Sequence, residues 1–235
     1  MGHKKYAETK GNIMLKFFNA DQKNFSRKLE LILNIRKQKQ KNKSFFVKKI
    51  LLGVKNQGDK ALIKYEKKFS NIKSKKKKIK FSKEEINKIT KKVDKNLKRS
   101  IDIAYTRIKK FHLKQKNTSF TYKDKYNNEL SYRYSSIDRV GVYVPGGTAS
   151  YPSTVLMNCI PAMVAGVRNI YLTTPSLGSL VNPAIIYAAK KCGVKEIYKT
   201  GGAHSIAAFT YGTKTFKKVD KIVGPGNMYV ASAKK

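Results

Sequence analysis

Apolar residues return every three or four positions through the first half of the chain, which is the α-helical period. Phe25, Leu29, Ile32 and Ile35 share one helical face, and Phe46, Ile50, Leu51 and Val54 share another. Gly58 is placed to close the second of these helices, because glycine accepts the left-handed conformation in which helices often end. A short helix is predicted from Lys60 to Phe69, with Leu62, Tyr65 and Phe69 on one side. The run Lys75–Lys78 is too charged for a core and precedes a short predicted strand at Ile79–Phe81. Ser82 and Glu85 have the spacing of a capping box, in which each side chain satisfies the other residue's backbone N–H. Behind it Ile86, Ile89, Val93, Leu97, Ile101, Ala104, Ile108 and Phe111 keep the helical period for about seven turns, predicting a coiled-coil seam or, better in a chain with no other heptads, one long helix packed on a domain.

The period then changes. Residues 119–137 alternate and contain Asn127-Asn128, which reads as a β-hairpin. From Arg139 onward strand-like and helix-like runs take turns. RVGVYV (139–144), NIYLTT (169–174), EIYKT (196–200) and KVDKIV (218–223) are the strands. Helices are expected at about 153–165, from Asn182-Pro183 to Gly193, after Gly201-Gly202-Ala203 as far as Gly212, and after Asn227. Pro161 should kink or break the first of these, whereas Asn182-Pro183 has the form of an N-cap followed by proline at the first helical position. This rhythm predicts an α/β fold, a Rossmann-like parallel sheet flanked by helices, preceded by a mainly helical N-terminal region. The boundaries are residues 1–13 as a possible extension before Met14, 14–137 as the helical region with its hairpin, and 138–235 as the sheet domain.

Three of the four predicted strands run into glycine turns: Pro145-Gly146-Gly147, Gly201-Gly202-Ala203 and Gly224-Pro225-Gly226-Asn227. In a parallel sheet these turns share the carboxyl edge, where open α/β sheets bind ligands. Helix N-termini behind such turns offer free N–H groups to a phosphate. A phosphorylated ligand such as a dinucleotide is therefore expected, although each turn taken singly is equally a tight βα connection. There is no P-loop, and GPGNMY lacks the third glycine of the dinucleotide fingerprint. Tyr143 and Asn227 can donate and accept hydrogen bonds at that edge. His204 follows the second turn and is either a ligand contact or a capping or surface residue. His112 reads as a packed or surface histidine. The histidines are scattered and neither Cys159 nor Cys192 has a partner at metal-binding spacing, so no metal site is expected within these residues.

Charge adds a second possibility. The formal net charge is +38, of which residues 1–140 hold +29 and residues 141–235 hold +9. A basic face can bind nucleic acid by releasing counterions from phosphates. The lysines, however, fall mainly on polar helix faces, arginine is scarce, and Asn and Ile are abundant, as in the product of an AT-rich genome. No specific nucleic-acid partner is expected on that second reading. There is no apolar run long enough to span a membrane and no secretory leader pattern in the first 20 residues. Two cysteines make no disulfide framework, so a reducing, cytoplasmic setting is the default.

The three long blocks 139–167, 200–213 and 219–235 resemble the histidinol dehydrogenase family. The stretches NQGDKALIKYEKKF (56–69), FSKEEI (81–86) and FHLKQ (111–115) follow in that family's order, so the resemblance runs from about Met14. It implies two-step oxidation of L-histidinol through L-histidinaldehyde to L-histidine with NAD, on a pair of Rossmann-like domains related to aldehyde dehydrogenases, in a cytoplasmic homodimer. It also implies NAD contacts at Tyr143, at Asn227, and at His204, where the family has glutamine. In that family the zinc ligands, the Glu–His acid/base pair and a substrate-contacting serine come from segments after the GPGN block. The resemblance thus implies an N-terminal portion with the NAD-side motifs, no catalytic or zinc residues of its own, and no turnover alone. A noncatalytic NAD-binding or dimer-interaction remnant is the alternative reading.

Overall fold

The computed structural model describes residues 19–70, 79–146, 151–176 and 181–235, with the backbone alone for residues 36–43. The possible extension 1–13, Met14, the lysines at 75–78 and Gly147 lie outside the described residues. The chain divides into two compact units, 1–42 and 43–235.

The two helical faces at the start of the sequence belong to one continuous helix, α1 (Phe25–Gln57). The polar stretch between them is made of Arg, Lys, Gln, Asn and Ser, with no glycine or proline to stop a helix. Within the first unit Leu29, Leu31, Leu33 and Ile35 are exposed. In the second unit Val47, Ile50 and Val54 are buried, and the helix stops at Gly58, whose φ is +53°. Gly58 also precedes α2 (Asp59–Phe69). That helix buries Ala61, Leu62 and Glu66 and leaves Phe69 exposed, so a carboxylate takes part of the face predicted to be apolar.

Ile79–Phe81 does not form a separate strand. Lys80 makes a single antiparallel bridge to Tyr198, and the Phe81 N–H donates to the Ile197 carbonyl. The capping box is present, with Ser82 Oγ 3.1 Å from the Glu85 amide and Glu85 Oε2 2.9 Å from the Ser82 amide. The seven-turn helix it was expected to start is two helices, α3 (Lys83–Lys91) and α4 (Lys95–Lys114). Asp94 breaks them apart by accepting from the amides of Asn96 and Leu97 as a new N-cap. The apolar period survives the break because Val93, in the connection, is still buried.

The hairpin is formed by β1 (Phe120–Lys123) and β2 (Glu129–Tyr132). Asp124 ties its turn through the amides of Tyr126 and Asn128, and Asn127 takes φ +67°. All eight strand residues are exposed, so the alternation does not mark a buried face among the described residues.

The remaining elements are β3 (Arg139–Tyr143), α5 (Pro152–Val164), β4 (Asn169–Thr173), α6 (Pro183–Lys191), β5 (Glu196–Tyr198), α7 (Gly202–Tyr211), β6 (Lys221–Val223) and α8 (Met228–Ala233). The four strands are parallel in the order β5-β4-β3-β6. Pro161 does not end α5. It lies in the last turn, where it removes one hydrogen bond, while Val155, Leu156, Cys159 and Ile160 are buried. Asn182 caps α6 by accepting from the Ala184 amide at 2.9 Å. One face of the sheet packs on α5 and α6 around Val142, Leu172, Ile160 and Ile185, and α3 and α4 pack on those two helices. The other face packs on α2 and α7, where Tyr198 stacks on Phe216 and Phe209 meets both rings edge-on. Helical residues that precede Ser136 therefore share cores with the sheet.

Candidate cofactor-binding edge

The sheet runs outward from β3 to β4 to β5, then returns so that β6 lies on the free side of β3. That reversal is a topological switch point between β3 and β6, and the carboxyl ends of strands at such points are where open α/β sheets take up ligands. Val142 pairs with Val223 at the last rung, so the turns after Tyr143 and Val223 leave the sheet side by side. Gly224 has φ +104°, and a Cβ there would stand 2.0 Å from the Tyr143 carbonyl oxygen. Only glycine fits this crossing. The third turn is brought in by Pro175, which follows β4: a Cβ on Gly201 would meet its ring at 2.2 Å, and one on Gly146 would meet its carbonyl oxygen at 2.5 Å.

Tyr143 is buried, and its hydroxyl oxygen accepts from the Gly202 amide at 3.2 Å. It therefore links the end of β3 to the start of α7 and keeps its own phenolic hydrogen to donate. Burial pushes the Tyr143 hydroxyl above the usual tyrosine range; the Gly202 N–H opposes this and the negative charge of Glu66 adds to it. Asn227 is exposed and caps α8, its Oδ1 accepting from the amides of Tyr229 and Val230 at 3.0 and 3.1 Å. Its amide nitrogen has no protein partner among the described residues. Lys234 reaches back from α8 to the Gly224 carbonyl, fixing the same turn.

His204 lies in the first turn of α7, but its ring is turned inward and is 2% exposed. Nε2 is 2.9 Å from Glu66 Oε2, while Nδ1 has no hydrogen-bond partner among the described residues. The ring lies beside Phe69 and Tyr65, with centroids 5.8 and 6.3 Å away. Glu66 itself accepts from Ser70 Oγ at 2.7 Å and from the Thr200 hydroxyl. Sequence reasoning singled out His204 and missed Glu66. The available signal was an acid four residues after Leu62, on the face of α2 that must be buried.

The edge suits a dinucleotide on its own geometry: a topological switch point, glycines where any Cβ would collide, a buried ring nitrogen without a partner, and a start of α7 whose N-cap glycine has no side chain to cap the N–H groups after that of Gly202. A zinc ion does not fit the described residues, among which no three His, Cys, Asp or Glu side chains come together. No described helix is long and apolar enough to cross a membrane.

Fold and edge together define a Rossmann-like α/β protein whose glycine turns gather at the carboxyl edge of the sheet. The family model for histidinol dehydrogenase matches residues 33–235, and the chain belongs to that family. It is 50% identical over 222 residues to a histidinol dehydrogenase of Pelagibacter ubique (strain HTCC1062), covering 94% of this chain and 51% of that one. A histidinol dehydrogenase of Carboxydothermus hydrogenoformans is 46% identical over 189 residues, covering 80% of this chain and 44% of that relative. The crystal structure of histidinol dehydrogenase from Elizabethkingia anophelis superposes with a TM-score of 0.76 at 42% identity, over 80% of this chain and 43% of that one. The chain thus spans about half the length of the curated relatives it matches.

Proposed function

We propose that this chain carries the dinucleotide side of a histidinol dehydrogenase, the NAD-dependent oxidation of L-histidinol through L-histidinaldehyde to L-histidine. The observation that carries this reading is the convergence of three turns on the β3–β6 switch point in a chain of that family. NAD+ when bound supplies the acceptor for the hydride removed from the substrate carbon. The residues of this chain bind and orient it. Tyr143 offers its phenolic hydrogen from the end of β3, and Asn227 offers its amide nitrogen from the cap of α8. His204 acts from the first turn of α7. The N–H groups there and the positive end of the helix favour the pyrophosphate.

Zinc belongs to the family's chemistry as the sequence resemblance implies it, but the described residues assemble no site for it, and no step here is assigned to it. Because the chain spans about half of its relatives, we propose that these residues bind NAD+ without completing turnover. A cytoplasmic setting and a homodimer are part of the same proposal, carried by the family alone.

Thermal unfolding of the purified chain with and without NAD+ tests the reading. A ligand that binds only the folded state at about 100 times its Kd raises stability by about 2.7 kcal/mol. A melting curve that NAD+ leaves unmoved would sink the proposal. NADH formation on adding L-histidinol and zinc to this chain alone would overturn its second part.

A further inference from the structure

We infer that Glu66 is a positioning residue of the cofactor edge: its carboxylate fixes the β5–α7 turn and the tautomer of His204, so that Nδ1 is offered as a hydrogen-bond acceptor to a hydroxyl or amide N–H of the bound dinucleotide. This rests on the dinucleotide reading given above.

Glu66 comes from α2, far in sequence from the sheet, yet it grips the turn on both sides. Thr200 donates to it from just before Gly201-Gly202-Ala203, and His204 meets it from just after. The turn therefore closes over a buried carboxylate, 2% exposed. A carboxylate oxygen can only accept, so the ring nitrogen 2.9 Å away must carry the hydrogen. With Nε2–H committed to Glu66, the neutral ring has its lone pair at Nδ1.

That lone pair is buried and without a partner among the described residues, and buried polar atoms of this kind are few in native proteins. Its position is specific. Nδ1 lies 3.4 Å from where a Cβ would stand on Gly202, the first residue of α7. The edge then combines donors, the N–H groups of the helix start, with one acceptor. Such a pair selects a ligand that carries an anion and a hydrogen-bond donor close together, as the pyrophosphate and ribose of a dinucleotide do. Phe69 and Tyr65 beside the ring hold it in place.

Calorimetric titration of NAD+ into the full 235-residue chain, Glu66→Gln, His204→Gln and the double variant tests the inference. A glutamine amide can accept or donate toward the ring, so Glu66→Gln releases the tautomer at nearly constant size. The expected result is a loss of NAD+ affinity of about three- to tenfold from Glu66→Gln alone, and of less than about twofold from the same change in the His204→Gln background. Equal losses in both backgrounds would make Glu66 a structural anchor and overturn the inference. Absence of NAD+ binding to every form would overturn the dinucleotide reading itself, and this inference with it. A second measurement needs neither ligand nor variant. Nitrogen NMR of the histidine rings in the free chain should find His204 protonated at Nε2 and bare at Nδ1. A proton on Nδ1, in the other tautomer or in the imidazolium, would overturn the assignment even if every variant failed to fold.

Discussion

Gly224 and Tyr143 touch backbone to backbone: a single added carbon on the glycine would lie 2.0 Å from the tyrosine's carbonyl oxygen. Two strands that are distant in sequence leave the sheet through this contact, at the switch point of the candidate cofactor edge. Gly224→Ala combines a positive φ with that collision. It should cost about 1–3 kcal/mol for the backbone conformation alone, and more once β3 and β6 are pushed apart. Urea unfolding of the variant against the unsubstituted chain measures this; an unchanged midpoint would show that the two turns do not cross as described.

Tyr143 and Gly202 make a second link across the edge. Tyr143→Phe keeps the ring in its core but leaves the Gly202 amide without an acceptor. A stability loss of about 1 kcal/mol follows from the hydrogen bond, with a several-fold weaker response to NAD+ in the melting assay. Weakened NAD+ binding without any stability loss would place the tyrosine hydroxyl in the ligand contact and remove it from the protein one.

Asn227 has two ends that can be separated. Its carbonyl caps α8, while its amide nitrogen is available to the ligand. Asn227→Ala should lose about 1 kcal/mol of stability with the cap and also NAD+ affinity. Asn227→Asp retains a good capping oxygen and removes the donor. It should match the unsubstituted chain in thermal unfolding without ligand and bind NAD+ at least several-fold more weakly. If the aspartate variant binds as well as the asparagine, the amide does not contact the cofactor.

Alkaline stability is set by buried phenols. Burial, and then the hydrogen bond to Glu196, pushes the Tyr198 hydroxyl far above its ordinary value, and burial raises Tyr143 as well. A group whose proton is held more tightly in the fold contributes stability that is intact below the unfolded value near 10 and is lost above it. Unfolding free energy should therefore decline above about pH 10, by up to about 1.4 kcal/mol per pH unit for each such phenol. Tyr198→Phe should flatten the decline in urea titrations between about pH 9 and 11. The same slope in both proteins would show that Tyr198 ionises as freely in the fold as out of it.

Much of this was legible in the sequence because one residue decided each feature locally. Gly58 ends a helix, Ser82 with Glu85 starts one, and Asn182-Pro183 starts another. The four strands follow from apolar runs, three of them closed by glycine turns. What was not legible depended on competition between local choices. The single helix over Phe25–Gln57 reflects helix formers that carry no apolar period. The break before α4 reflects a capping choice by Asp94 inside an unbroken period. Of the site, the residues on the turns could be named because turns announce themselves through glycine. Their order around β3, and the carboxylate beneath them, come from packing between segments more than 100 positions apart, as Glu66 and His204 show.

That carboxylate has an evolutionary corollary. Because residue 66 and residue 204 share one hydrogen bond across the core, losing the carboxylate strands both ring nitrogens of His204 inside the protein, whereas Glu66 keeps Ser70 and Thr200 if the ring is lost. A recombinant that joins this chain's sheet to a relative's helical region anywhere between those positions inherits half a pair. Positions 66 and 204 should therefore change hands together.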